Sequence, residues 1–232
     1  MMICWICLVL GIISTVVFIY KREANSSHFA VLLKTSSSML FIMTAIFAVY
    51  YNKGDMRYGL LIALGLVFSM LGDIWLDLKW IYPRDIRYYL YGGFVFFLLG
   101  HVCYTSAMGL SSGMTVTEFL PCLIAPAVVS GGTQLAAKPL KLDFTGYKFI
   151  VSLYTFFLMM TLSVATTIAF KTKGETSQIM MAVGALLFFL SDLILSNTYF
   201  GVNKSSNPYI AANHALYYAG QFMIAMSVFF YK

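Results

Sequence analysis

The chain reads as an all-α, polytopic membrane protein, one helix bundle with eight transmembrane helices, and three observations predict it. Of its 232 residues 60% are hydrophobic and 10% charged, against about 45–50% and 25% in an average soluble domain. Eight nearly uncharged segments reach the roughly 20 residues that cross a hydrocarbon core of about 30 Å. The loops between them are too short to fold alone and hold most of the remaining charges, so residues 1–232 form a single integral-membrane domain.

The segments run, in order, Ile3 to Tyr20, His28 to Tyr51 with one charge at Lys34, and Tyr58 to Trp80 carrying Asp73 and Asp77. Then follow Tyr88 to Leu110, Phe119 to Ala137, Phe149 to Phe170, Gln178 to Phe200 with Asp192 as its charge, and Pro208 to Tyr231. Pro121, Pro126 and the Gly131-Gly132 pair loosen the fifth segment, which a membrane helix tolerates where neighbours re-satisfy its backbone. Tyr20, Tyr51, Trp80, Tyr88, Tyr199, Tyr209 and Tyr231 fall at segment ends, the depth that amphipathic rings prefer.

The formal charge of +6 comes from juxtamembrane residues such as Lys21, Arg22, Lys53, Arg84, Lys138 and Lys204, which set orientation and meet anionic headgroups. It carries no nucleic-acid signature. Lys and Arg favour the odd-numbered loops, which points the termini outward or to the lumen. The sequons at Asn25 and Asn203 lie on those same loops and, if used, argue the reverse. Cys4, Cys7, Cys103 and Cys122 are expected as buried free thiols, and the first segment, without a basic leader, as a retained helix. The expected location is the endoplasmic reticulum membrane in a eukaryote or the cytoplasmic membrane in a bacterium.

A repeat is visible between the third and seventh segments. Gly65 to Asp73 aligns with Gly184 to Asp192, a glycine opening each stretch and a small residue preceding each aspartate, and Gly100-His101 then matches Gly220-Gln221. The chain reads as two copies, 1–113 and 114–232, of four helices each, related by an axis along the membrane normal. Asp73 and Asp192 should then lie at similar depth.

Ionisable side chains within a membrane segment are costly, about 2.5–3.5 kcal/mol or more, and point to function in the bundle interior. Asp73, Asp192, Asp77, Lys34 and His101 qualify. The two aspartates at like depth gain nothing structural together, although each could serve only an interhelical contact. Asp77, one turn from Asp73, could serve a water or headgroup path. Lys34 could neutralise an aspartate, bind a lipid phosphate or snorkel. His101 could act in catalysis or merely bond across helices, and Tyr104, Ser191, Asn197 and Gln221 are polar liners or interhelical glue. His214 reads as a structural contact. Two carboxyl groups sharing a dry site can divide the roles of acid and anion. No metal-ligand spacing is present, and no cofactor is expected.

Lys34, Gly72-Asp73, Gly100-His101-x-x-Tyr104, Gly184-Ala-x-x-Phe188-x-x-Ser191-Asp192 and Tyr218-x-x-Gln221, in this order over nearly the whole chain, resemble the YhhN family, which includes the TMEM86-type lysoplasmalogenases. The resemblance implies hydrolysis of the vinyl-ether bond of an alkenyl lysophospholipid, giving a fatty aldehyde and a glycerophospho-choline or -ethanolamine. It also implies that Asp73 and Asp192 are the essential pair. Protonation of the alkene and addition of water would parallel two-carboxylate glycoside hydrolysis, with His101 orienting the water and Lys34 taking the phosphate. The competing class is a lipid or small-solute transporter, for which midplane carboxylates and parallel repeats are equally natural.

Overall fold

The computed structural model describes residues 2–22, 27–52, 54–201 and 207–231, with only the backbone of Asn207. Lys53, Lys204 and the sequon residues Asn25 and Asn203 lie outside the described residues. The helices are α1 (Met2–Lys21), α2 (His28–Asn52), α3 (Met56–Ile81), α4 (Ile86–Ser111), a single turn α5 (Val116–Phe119), α6 (Ile124–Ala137), α7 (Lys148–Lys171), α8 (Thr176–Phe200) and α9 (Asn207–Phe230). Pro121 has no amide hydrogen to continue α5, so a 3-10 turn, Leu120–Leu123, joins it to α6 and the fifth crossing becomes a broken span, Val116–Ala137.

Among the described residues, seven spans are long and apolar enough to cross a membrane. The eighth long helix, α9, is diluted by Asn213, His214 and Gln221, and all three are buried, so its polarity faces protein. Leu, Ile and Val side chains instead cover the outer faces of α1 and α6, as a lipid-facing surface requires. Cys4, Cys7 and Cys122 are buried free thiols as expected, whereas Cys103 is only half-buried.

Six helices, α2, α3, α4, α7, α8 and α9, close into a ring in which each packs on the next. Outside it, α1 leans on α2 and α6 leans on α7. The pattern repeats: α1 on α2, α2 on α3 and α3 on α4 correspond to α6 on α7, α7 on α8 and α8 on α9, while α4 meets α7 as α9 meets α2.

The aligned glycines make the same contact in both copies. A Cβ added at Gly65 would lie 3.0 Å from the carbonyl oxygen of Gly100, and one at Gly184 would lie 2.9 Å from that of Gly220. Backbone approach this close needs the missing side chain, the small-residue packing by which membrane helices associate.

Gly184→Val therefore drives a side chain into the α9 backbone, and should lower stability by about 1–3 kcal/mol. Gly131→Ala, where an added Cβ meets nothing within 4 Å, should hold or raise it. Thermal unfolding in one detergent compares the two.

Candidate functional site: two carboxylates in equivalent places

Asp73 stands eight residues before Ile81, the end of α3, and Asp192 eight before Phe200, the end of α8, about 12 Å in from each helix end at 1.5 Å per residue. The expected similar depth follows. Their surroundings differ.

Asp73 is 2% exposed and its oxygens are occupied. Oδ1 faces the Lys34 ammonium at 3.2 Å, and Oδ2 accepts from the Ser38 and Tyr217 hydroxyls, both at 2.8 Å. A chain of bonds backs it: Ser69 meets the Tyr104 hydroxyl at 3.0 Å, Tyr104 donates to Gln221 Oε1 at 3.1 Å, and Gln221 Nε2 donates to the Tyr217 oxygen at 3.1 Å. Tyr104 and Gln221 thus serve as interhelical links behind Asp73. Gly72 makes the arrangement possible on its other side, because a Cβ there would strike the Phe97 ring at 2.6 Å.

Lys34 does not snorkel. It is buried between two acids, reaching Asp77 Oδ1 at 3.7 Å, and Asp77 also faces Arg22 at 3.4 Å. The Arg22 side chain, expected in a loop, is turned inward and only 5% exposed. Lys79, unnoticed within the third segment, is likewise buried and sits over the Tyr199 ring. Asp77 is 1% exposed and belongs to this cationic cluster rather than to an open path. His214 packs edge-on against Phe18 at 4.9 Å.

Asp192 has a different neighbourhood. Its Oδ2 accepts from the Tyr154 hydroxyl and its Oδ1 is 3.4 Å from the Ser191 hydroxyl. The buried Ser191 also gives its carbonyl to Asn213 Nδ2 at 2.7 Å. Asp192 and Tyr154 form part of the wall of a cavity of about 330 Å³ whose other walls include Phe94, Val129, Gly132, Leu158 and Phe189. The cavity is bounded by α4, α6, α7 and α8, with α6 packing on α7. Over its outer end fold Leu142, which bridges to Gly201, and Phe144, whose ring meets Phe200 at 5.0 Å.

The two carboxylates share no hydrogen-bond partner. Phe97 touches the partners of both, its ring lying 6.0 Å from Tyr217 and 6.5 Å from Tyr154, and Asp192 lines the cavity whereas Asp73 does not. A single shared chamber is therefore replaced by two compartments, one ion-paired and one open to the cavity.

His101 lies outside the cavity wall. It is 1% exposed, bonds Thr161 through Nδ1 at 3.1 Å and packs 5.8 Å from the Tyr154 ring, so it supports the wall from behind. Asn197 is exposed near the end of α8 and lines neither compartment. Tyr154, Tyr217 and Ser38 were not singled out by sequence. Tyr154 had a signal: it follows the first residue of α7 by six positions, as Lys34 follows the first residue of α2, far from the interface where tyrosine is otherwise found. Among the described residues no three His, Cys, Asp or Glu side chains converge to hold a metal ion.

Removing Lys34 leaves the buried Asp73 carboxylate without its cation, and Asp77 with Arg22 as its ion-pair partner among the described residues. Lys34→Met should cost about 3–5 kcal/mol, and pairing it with Asp73→Asn should cost less than the two changes summed, because the second removes the charge the first exposes. Thermal unfolding of the single and double variants measures the coupling.

No curated protein and no solved structure matches the chain. The YhhN family model matches residues 29–228, a stretch that takes in the ring of six helices and both aspartates, and the chain belongs to the YhhN family.

Proposed function

We propose that the protein is a membrane hydrolase that cleaves the vinyl-ether bond of a lysoplasmalogen, with Asp192 as the reacting acid. The observation that carries this reading is the Asp192–Tyr154 pair set into the wall of an otherwise apolar cavity of about 330 Å³, within the range of about 300–1,000 Å³ typical of small-molecule sites. An alkenyl chain fits such walls, and family membership is compatible with the activity.

The reaction closes on one carboxyl group. Neutral Asp192 gives its proton to the outer alkene carbon, which leaves an oxocarbenium ion between the inner carbon and the ether oxygen. The carboxylate so formed takes a proton from water as that water adds to the inner carbon. The resulting hemiacetal breaks its carbon–oxygen bond to the glycerol as its hydroxyl proton is transferred to the departing glycerol oxygen, and aldehyde and glycerophospho-base leave. The net change is addition of one water, and Asp192 is again neutral. Asp73 stays outside the reaction as a fixed anion, and its ion pair with Lys34 leaves the substrate phosphate to groups nearer the surface.

Purified protein in detergent, mixed with alkenyl and acyl lysophospholipids and followed by mass spectrometry, should release aldehyde from the alkenyl lipid alone. Asp192→Asn should lower the rate by about 10²–10⁴-fold, the usual contribution of a general acid, with the fold retained. Gly132→Leu should also abolish release, since the Cβ at Gly132 meets nothing within 4 Å and the new side chain fills the cavity rather than displacing a neighbour. Intact lipid throughout, with solute crossing sealed liposomes, would instead identify a carrier.

A further inference from the structure

The geometry points to a division of labour between two equivalent aspartates: Asp73 is the permanent anion of an ion pair, whereas Asp192 carries a proton at rest and is held by Tyr154 in the place that a lysine occupies in the other copy. This deepens the hydrolase reading, on which it rests only for the use made of the proton.

The argument is positional. Each aspartate is reached from the preceding helix of its own copy, six residues into that helix: by Lys34 from α2 and by Tyr154 from α7. Each also faces the last helix of the opposite copy. There α9 offers Asp73 the Tyr217 hydroxyl. In the register set by Gly100 and Gly220, the counterpart of Tyr217 in α4 is Phe97, which donates nothing. Asp73 thus receives a cation and two hydroxyls, and Asp192 one phenol and a long contact to Ser191.

Every element around Asp192 agrees. From α7 comes Tyr154; from α4, Phe97 and His101 lie against that tyrosine; from α6, Val129, Gly132 and Thr133 line the cavity. The side chain that α9 sends is the amide of Asn213, spent on the Ser191 carbonyl. Among the described residues no ion pair reaches Asp192. A carboxyl group beside so apolar a cavity, with no cation paired to it among the described residues, is relieved by carrying a proton. The phenol fixes which oxygen bears it: Tyr154 donates to Oδ2, leaving Oδ1 as the hydroxyl oxygen. Tyr154 is accordingly a positioning residue, acting through Asp192.

Infrared spectroscopy of the resting protein reads this without any substrate. At neutral pH the wild type should show a protonated-carboxyl C=O band that shifts in deuterium oxide, disappears in the isosteric Asp192→Asn variant and persists in Asp73→Asn. Tyr154→Phe should move the band to higher frequency, because the carbonyl loses a donor. Tyr154→Lys should erase it by recreating the ion pair of the other copy, with thermal stability kept and aldehyde release reduced as far as in Asp192→Asn. Absence of the band in the wild type, its survival in Asp192→Asn, or its persistence in Tyr154→Lys would overturn the assignment. A band that behaves as expected in a protein releasing no aldehyde would overturn the hydrolase reading alone.

Discussion

A carboxyl group inside a hydrocarbon slab has two ways to exist: beside a cation, or without its charge. This chain uses both solutions, at two points related by its own internal repetition. Around Asp73, Lys34 and two hydroxyls account for the oxygens, and one helical turn further Asp77 takes Arg22 and the far side of the same lysine. Around Asp192 there is a phenol and an apolar cavity. Much of the remaining architecture supplies walls that keep these environments distinct.

The ring of six helices brings the aspartates to one depth, and glycines make it tight enough to do so. Gly65 against Gly100 and Gly184 against Gly220 draw α3 to α4 and α8 to α9 at backbone distance, so the aspartate about two turns further along each helix is carried into the interior. The Phe97 ring lies against Tyr217 and Tyr154, the partners of the two aspartates, and it has room only because residue 72 has no side chain. The copies then diverge at their outer helices: α1 runs unbroken and also touches α9, whereas Pro121 interrupts the fifth crossing and α6 makes no comparable contact with α4, and a cavity lies beside Asp192.

What could be read from the sequence was whatever depends on hydropathy and spacing. The helices and their ends are set by runs of apolar residues and interfacial rings. The aspartates announced themselves because a charge in such a run is expensive, and the Gly65 and Gly184 alignment anticipated a shared geometry. What could not be read was partner choice. The sequence leaves open which carboxylate Lys34 meets, and the rotation of α2 against α3 is what turns it to Asp73 and Asp77. Arg22, assigned to a loop by its position after Tyr20, bends inward because Asp77 lies within its reach. Asn197 follows Asp192 in the same helix, yet five residues carry it around to the exposed face. Tyr154 was passed over because a tyrosine in a membrane segment carries no charge to mark it.

The difference between Lys34 and Tyr154 decides what each copy can do. An ammonium beside a carboxylate stabilises the ionised form and so locks it; a phenol can donate to either form and therefore leaves the proton free to move. Substituting the second for the first at one of two equivalent positions converts a structural ion pair into a group able to give and retrieve a proton. The cost of leaving a carboxyl group unpaired in that position is met by neutralising it, and a neutral carboxylic acid facing an apolar cavity is the reagent that an electron-rich double bond requires. The locked copy differs in kind: with Asp73 balanced by Lys34 and two hydroxyls, its charge is fixed in place. On this view the two halves are complementary, one fixed in charge so that the other can change.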